Sequence, residues 1–330
     1  MSYIELNKSA FFNNLDIIAQ KTADKDKIAL VLKDNAYGHG LLEVAGMAKE
    51  YGITRAVVRR EDEAEQIKGF FNYILVLSPS FPISNMHDFI YTINSIDDVK
   101  SFPSSCRVEL KIDTGMHRNG IGMDELDEAM LKIQEQGLRL ESIFTHYRSA
   151  DTMSSEWFWQ KKNFSRLKQR YPKLRAHSCN SAGIFRENNF DEDMVRVGIA
   201  AYGCLQMDRG FEETGLKPVL SLFAEKISSR VLNKGERVGY NATFEATEEI
   251  LVGNYDVGYA DGLSRFLSNN YRTPDGNELL GRVSMDNSSY NSHKQSLLIF
   301  DDANEIASFC ETISYEVLTS LSSRLQRRII

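Results

Sequence analysis

Short apolar runs alternate with helical patterns through the first ~200 residues, and this alternation constrains the fold more than any other feature of the chain. The runs are Ile28–Leu32, Arg55–Val58, Tyr73–Ser78, Phe89–Asn94, Val108–Asp113, Ser142–Tyr147, Arg175–Asn180 and Met194–Ile199. Helical stretches lie between them, among them Leu41–Tyr51 (ended by Gly52), Glu61–Gly69, Asp124–Gln136 and Ser154–Tyr171. A helix over Leu6–Thr22 precedes them, with Phe11, Phe12, Leu15, Ile18 and Ala19 on one side. Strands that alternate with helices build a parallel sheet, and eight of them predict an α/β fold, a closed (β/α)₈ barrel of the TIM type.

From about Glu213 the texture changes. Pro218–Ala224, Ile227–Leu232, Tyr240–Phe244, Glu249–Val257 and Leu297–Phe300 read as strands without intervening helices. The chain divides accordingly into a barrel over residues 1–215 and a smaller, mostly β domain over 216–330. Phe266–Asn277 has little pattern and is expected to be a mobile loop.

A barrel gathers its chemistry at the carboxyl ends of its strands, and the polar clusters fall there. Lys33 follows the first run directly, its methylenes along apolar surface and its amine at the rim. Such an amine, partly desolvated, is a usable nucleophile or Schiff-base former; the plain alternative is a strand-end lysine snorkelling to water. The next residues, Asp34-Asn35-Ala36-Tyr37-Gly38-His39-Gly40, crowd two polar rings and two glycines into one loop, which suits close approach to a ligand. Asn180-Ser181 after the seventh run, with Gly198 and Ile199 at the eighth, make a phosphate cradle or, equally, an N-cap and a tight turn. Arg196 is a strand-end arginine whose burial is expensive unless it meets an acceptor.

The net charge of -7 argues against nucleic acid or an anionic membrane as partner. The first residues lack a basic region followed by an apolar one, and no run approaches the ~20 apolar residues of a membrane helix. Cys106, Cys179, Cys204 and Cys310 have neither metal nor disulfide-framework spacing, which fits a reducing compartment. A cytoplasmic protein is expected.

Together these stretches resemble the alanine racemases. The resemblance is carried by Ile28–Gly40, Asp113–Arg118, Asn180–Gly183 with Arg196–Ile199, Gly239–Phe244, Gly258–Gly262 and Gly281–Asp286, in family order across both domains. It implies pyridoxal 5'-phosphate held on Lys33, with Tyr37, Asn180, Ser181, Gly198 and Ile199 around its phosphate and His146 among the groups that bind it. It implies that Arg196 faces the pyridine nitrogen as a fixed charge that cannot take a proton. Racemisation needs an acid/base on each face of the substrate; Lys33 would serve one and Tyr240, supplied by the partner chain of a homodimer with shared active sites, the other. His146 and Arg196 are the cations expected to ease the ionisation of Tyr240. Arg118 and the Met285 backbone would bind the carboxylate of a small amino acid. Tyr259, Arg265, Arg282 and Asp151 would line the access corridor, and Lys111 matches a lysine often carbamylated in the family.

One position departs from the family pattern. Ser323 stands where many members carry a tyrosine, which removes a phosphate contact and opens space beside the substrate side chain. The function implied is alanine racemisation, with D-alanine feeding peptidoglycan. A serine or broader amino-acid racemase is the alternative on the same scaffold. A related decarboxylase is opposed by Arg196 and Tyr240. A pyridoxal-phosphate-carrying regulatory protein without activity is opposed by the second domain.

Overall fold

Ile28–Val31, the run that leads into Lys33, is a parallel strand between Arg55–Val58 and Val195–Val197 in the computed structural model, which describes residues 1–330. The sheet continues in chain order through Tyr73–Val76, Ile90–Ile93, Arg107–Lys111, Arg139–Phe144 and Arg175–His177, every pairing parallel. Backbone bonds close the last seam: the Asp193 N–H donates to the Ala176 carbonyl at 3.2 Å and the Arg196 N–H to the Cys179 carbonyl at 3.0 Å. This is the eight-stranded barrel that the alternation predicts. Several strands stop before their apolar runs do as the chain turns over the barrel rim: Ile28–Val31 before Leu32, Arg139–Phe144 before Tyr147 and Arg175–His177 before Asn180.

Helices Lys8–Thr22, Leu41–Tyr51, Glu61–Ile67, Leu126–Glu135, Glu156–Arg170 and Ser181–Arg186 surround the barrel. The first begins after Leu6, because the Asn7 side chain accepts the Ala10 N–H at 2.9 Å and caps it there. Two connections are not helices: residues 77–89 are irregular, and Ile96–Ser101 is a 3₁₀ turn.

Tyr3–Leu6 is a strand of the other domain. It pairs antiparallel with Leu220–Leu232 and parallel with the last strand, Gln326–Ile329. A division at residue 215 therefore leaves one strand of the C-terminal sheet at the start of the chain. Leu220–Leu232 is one continuous strand where the sequence reading has two; register shifts near Leu222 and Lys226 let it pair with Ser296–Phe300 and then with Ile250–Tyr255. Tyr240–Ala242 is a 3₁₀ turn between the short strands Arg237–Val238 and Phe244–Glu245, not a strand. Helices Ala303–Phe309 and Ser314–Ser320 complete the domain.

The segment expected to be mobile is anchored. Leu267, Tyr271 and Thr273 are buried, and the Tyr271 hydroxyl donates to the Ile299 carbonyl at 2.6 Å. One apolar core runs without a break from barrel residues such as Leu30 and Val57 to Ile4, Leu222 and Ile299 of the second sheet. The two parts thus share their interior, which fixes one relative to the other. No helix is long and apolar enough to cross a membrane.

Candidate active site

Lys33 leaves the first barrel strand and opens a left-handed turn. Asp34, Asn35, Ala36 and Tyr37 have φ of 53°, 56°, 51° and 52°, and Gly38 follows at 77°. Asp and Asn tolerate this region, Gly is free in it, and for other L-residues it costs about 1–2 kcal/mol apiece. The surroundings hold it nonetheless. The Asp34 N–H donates to the buried Glu63 carboxylate at 2.6 Å, and the Asn35 side chain accepts the Leu41 N–H at 2.9 Å. The His39 Nδ1 sits 3.1 and 3.0 Å from the carbonyls of Ala36 and Tyr37. Two carbonyl partners require the proton on Nδ1, and burial, ahead of the other causes, lowers the His39 pKa to about 4, so the ring is neutral. The Lys33 amine emerges 3.7 Å from the Asp34 carboxylate and 5.9 Å from the centre of the Tyr37 ring.

Four more basic groups converge on that amine from neighbouring strand ends. Lys111 is buried, and desolvation followed by Arg118 and Arg196 brings its pKa down to about 8. His146 falls to about 3, through desolvation first and then Arg196, Lys111, Arg118 and Lys33. It is therefore neutral near pH 7, not the cation of the sequence reading. Asp113 is tied into its own loop, accepting the N–H groups of Gly115 and His117 at 2.8 and 3.1 Å. The site is consequently rich in cations, and anionic groups are what it can accommodate.

Arg196 meets its acceptors. It donates to the Thr145 carbonyl at 2.6 Å, to the Ser178 carbonyl at 3.1 Å and to His177 Nδ1. Nε2 of His177 lies 2.8 Å from Glu109, whose other oxygen accepts a hydrogen bond from the Tyr73 hydroxyl at 2.6 Å. This polar chain inside the barrel is absent from the sequence reading. Its signal was available: Glu109 and His177 are titratable residues within otherwise buried runs, where burial requires a partner.

A cradle forms beside the lysine loop. The Ser181 hydroxyl accepts the N–H groups of Gly198 and Ala200 at 3.1 and 3.3 Å, which leaves its proton to donate. A Cβ on Gly198 would lie 2.9 Å from the Tyr37 hydroxyl, so the missing side chain is what lets that ring sit there. Burial, then Tyr315 and Asp34, pushes the Tyr37 pKa up, so the phenol keeps its proton and acts as a donor. The Ile199 N–H has no partner in the chain, whereas the Asn180 side chain is used as a cap, accepting from Gly183 at 2.9 Å.

The remaining predicted residues form a second group on the C-terminal domain. Gly258–Gly262 and Gly281–Asp286 are bonded to each other, Tyr259 N–H to the Ser284 carbonyl at 3.1 Å and Ala260 N–H to the Met285 carbonyl at 2.9 Å. The Ser268 hydroxyl joins them, donating to the Arg265 carbonyl at 2.6 Å and accepting the Val283 N–H at 3.1 Å. Val238 and Gly239 pack against Gly281 and Arg282, which brings the Tyr240 turn into the group. Tyr240 is 67% exposed, with no hydrogen bond, ion pair or ring contact to Lys33. Met285 and Tyr259 are exposed as well. Arg118 is exposed at the barrel mouth, and Asp151, also exposed, is close enough to Tyr315 to help burial raise that phenol's pKa to about 12. Tyr315 packs 5.6 Å from Tyr37, which places Asp151 on the barrel side of the site.

The sequence matches the family description "Alanine racemase, N-terminal domain" over residues 6–206 and "Alanine racemase, C-terminal domain" over residues 219–329. It is 43% identical to an alanine racemase of a Nitratiruptor species, covering 99% of each chain, and 41% identical to one of Campylobacter curvus, covering all of both. The fold is similar to an alanine racemase of Clostridium difficile 630, with a TM-score of 0.90 at 26% identity over 100% of this chain and 95% of that one. It is also similar to alanine racemase from Bacillus anthracis with bound L-Ala-P, with a TM-score of 0.88 at 29% identity and the same coverage. With both halves matched in order, full-length relatives above 40% identity and the barrel-plus-sheet architecture in common, the chain belongs to the alanine racemase family, whose members are isomerases.

Proposed function

We propose that the chain interconverts L- and D-alanine with pyridoxal 5'-phosphate on Lys33, in a homodimer whose two active sites each use Tyr240 of the partner subunit. The observation that carries this reading is the lysine amine beside a set of unengaged donors, the Tyr37 hydroxyl, the Ser181 hydroxyl and the Ile199 N–H, at one end of the barrel. These residues fit the cofactor that the family uses: the donors suit its phosphate, and the surplus of positive charge suits its anionic oxygens.

When bound, pyridoxal phosphate supplies an electron sink that acidifies the Cα–H of the amino acid attached to it. The chain's own residues supply the rest. Lys33 Nζ would take or return the proton on one face of the substrate. The partner's Tyr240 does so on the other, its hydroxyl alternating between phenol and phenolate. Arg196, held by three acceptors and donor-only, keeps its proton throughout and acts as a fixed charge. Arg118 and the Met285 N–H, which has no partner in the chain, bind the substrate carboxylate. Tyr259, Arg265, Arg282 and Asp151 line the way in. Lys111, with a pKa near 8 and no hydrogen bond of its own, has the free amine needed to take up carbon dioxide as a carbamate beside Arg118.

The dimer is supported by what the single chain leaves uncovered. Tyr240, Tyr259, Phe266 and Met285 are 67%, 45%, 61% and 54% exposed on loops that pack together, an apolar patch of the kind covered by a second chain. The four unpaired cysteines fit a cytoplasmic enzyme whose D-alanine serves peptidoglycan.

A serine or broader amino-acid racemase is the second reading, and one observation favours it. Ser322 and Ser323 line a polar cavity of about 540 Å³ with Arg59, Glu63 and Asp34, whose carboxylate is 3.7 Å from the Lys33 amine. The test is exchange in deuterated water with the purified protein, pyridoxal phosphate and L-alanine, then L-serine, followed by NMR. Deuterium at Cα together with the D-enantiomer is expected. Exchange without inversion would sink the two-base assignment, and no exchange would favour a regulatory protein without activity.

A further inference from the structure

The left-handed turn at Asp34–Gly38 is held from the far end of the sequence. Arg327, on the last strand of the chain, directs Nε and Nη2 to the Gly38 carbonyl at 3.3 and 2.9 Å. Its Nη1 serves the carbonyls of Ser322, Ser323 and Leu325. All its acceptors are main-chain carbonyls, so the guanidinium works as a fork-shaped staple between two backbone segments and pairs with no carboxylate. A lysine has one nitrogen and cannot reach both segments with the same geometry. The staple is seated as well as bonded: a Cβ on Gly38 would collide with the Leu318 carbonyl, and one on Gly40 would lie 3.4 Å from the Arg327 stem.

Two further side chains act on the same turn from other directions. Glu63, buried at the start of its helix, accepts the Asp34 N–H through one oxygen and the N–H groups of Arg59 and Arg60 through the other, at 2.8 and 3.1 Å. His39 bonds the carbonyls of Ala36 and Tyr37 and stacks on Tyr202, ring centres 4.3 Å apart; the Tyr202 hydroxyl in turn donates to the Val31 carbonyl at 2.9 Å. Main-chain groups at 34, 36, 37 and 38 are thus each tied by a side chain outside the turn, which is what a segment disfavoured by its own sterics needs to persist.

We propose that Arg327, Glu63 and His39 are positioning residues, which hold residues 34–38 left-handed and thereby aim the Lys33 amine and the Tyr37 hydroxyl at one ligand. The proposal rests on the assignment of those two groups to pyridoxal phosphate. Arg327 is its most exacting member, because it makes the last strand of the chain a part of the lysine loop.

The test uses the full-length protein stripped of cofactor and titrated with pyridoxal phosphate, binding being read from intrinsic fluorescence and folding from the Tm of the stripped protein. Arg327→Met is expected to weaken cofactor binding by about 10–100-fold, the size of a lost charge-assisted hydrogen bond. Arg328→Met is the matched control: that side chain lies on the same strand, stacks over Tyr3 at 3.7 Å and bonds only Gln326. It is expected to move binding by less than about threefold. Ala36→Gly, added to Arg327→Met, should recover part of the loss, because glycine enters the left-handed region unaided. A role in general stability alone would not produce that recovery. Should Arg327→Met not fold, Arg327→Lys is read in its place, with weakening in the same direction. The proposal is overturned if the arginine variants bind within about twofold of the parent, or if Ala36→Gly recovers nothing. If the parent itself does not bind pyridoxal phosphate, the cofactor reading fails and takes the proposal with it.

Discussion

Arg196 and His177 share a hydrogen bond whose proton belongs to the arginine, so the imidazole accepts at Nδ1 and carries its own proton on Nε2, facing Glu109. Burial alone would raise the Glu109 pKa; His177 and the Tyr73 hydroxyl more than reverse that and hold it at about 2. Glu109 is thus an anion at the end of a chain of donors that begins at the active-site arginine.

Glu109→Ala should strand the Tyr73 hydroxyl in the barrel core and leave the His177 Nε2–H only the Ser142 hydroxyl, 3.3 Å away. An orphaned group costs about 1–3 kcal/mol. Glu109→Gln, which can still accept from one of them, should lose less. Urea unfolding at pH 7 measures both, and equal losses would contradict the assignment.

Acid should destabilise the protein well above the carboxylate range. His39, His146 and His177 are lowered by burial from 6.5 to about 4, about 3 and about 4, so the native state keeps them neutral while the unfolded chain takes up protons below 6.5. The unfolded state binds more protons, and stability therefore falls as pH drops from 6.5 towards 4, by up to about 1.4 kcal/mol per pH unit for each histidine. Glu109 adds a further loss only below about 4.5, as pH approaches its native value of about 2. Unfolding of the cofactor-free protein at pH 7.5, 6 and 5 checks the slope, and a flat profile would contradict it.

Lys33→Ala and Tyr240→Phe should each abolish racemisation alone and complement each other when mixed. A dimer with one chain of each kind has one pocket with both residues intact and one with neither. Random re-pairing of equal amounts should restore about a quarter of the parental activity. No recovery from co-refolded chains would mean that Lys33 and Tyr240 do not meet across a subunit boundary.

Ser323→Tyr should sharpen the preference for alanine. The side chain is exposed at the edge of the cavity that Asp34 lines, and a phenol there would narrow that cavity. The ratio of kcat/KM for alanine to that for serine should rise by about 10-fold or more, the discrimination a filled pocket gives. An unchanged ratio would remove Ser323 as a determinant of specificity.

The barrel was legible because its strands are buried on both faces and so read as apolar runs, and the rim residues were legible because a barrel displays its chemistry where strands end. Tyr3–Leu6 was not, since four residues next to a strong helix give no sign that their partner lies more than two hundred residues away. Tyr240–Ala242 was misread as a strand because its neighbours Val238 and Phe244 do pair, while Asn241 and Ala242 adopt positive φ in between. The neutrality of His146 was beyond reach as well: it depends first on burial and then on four cationic residues distant in sequence, which only the fold assembles. Glu109, His177 and Glu63 were visible as residues but not as partners, for the same reason.

The position of Tyr3–Leu6 between Leu220–Leu232 and Gln326–Ile329 bears on how the molecule is made. A ribosome delivers Tyr3–Leu6 before the barrel and both of its partners after it, so the barrel can close while this strand still waits for a sheet. Only when Gln326–Ile329 has cleared the exit tunnel can that sheet be finished and the staple at Gly38 be driven home. The lysine loop is therefore translated far ahead of the strand that holds it, and reaches its working shape only when Arg327 arrives.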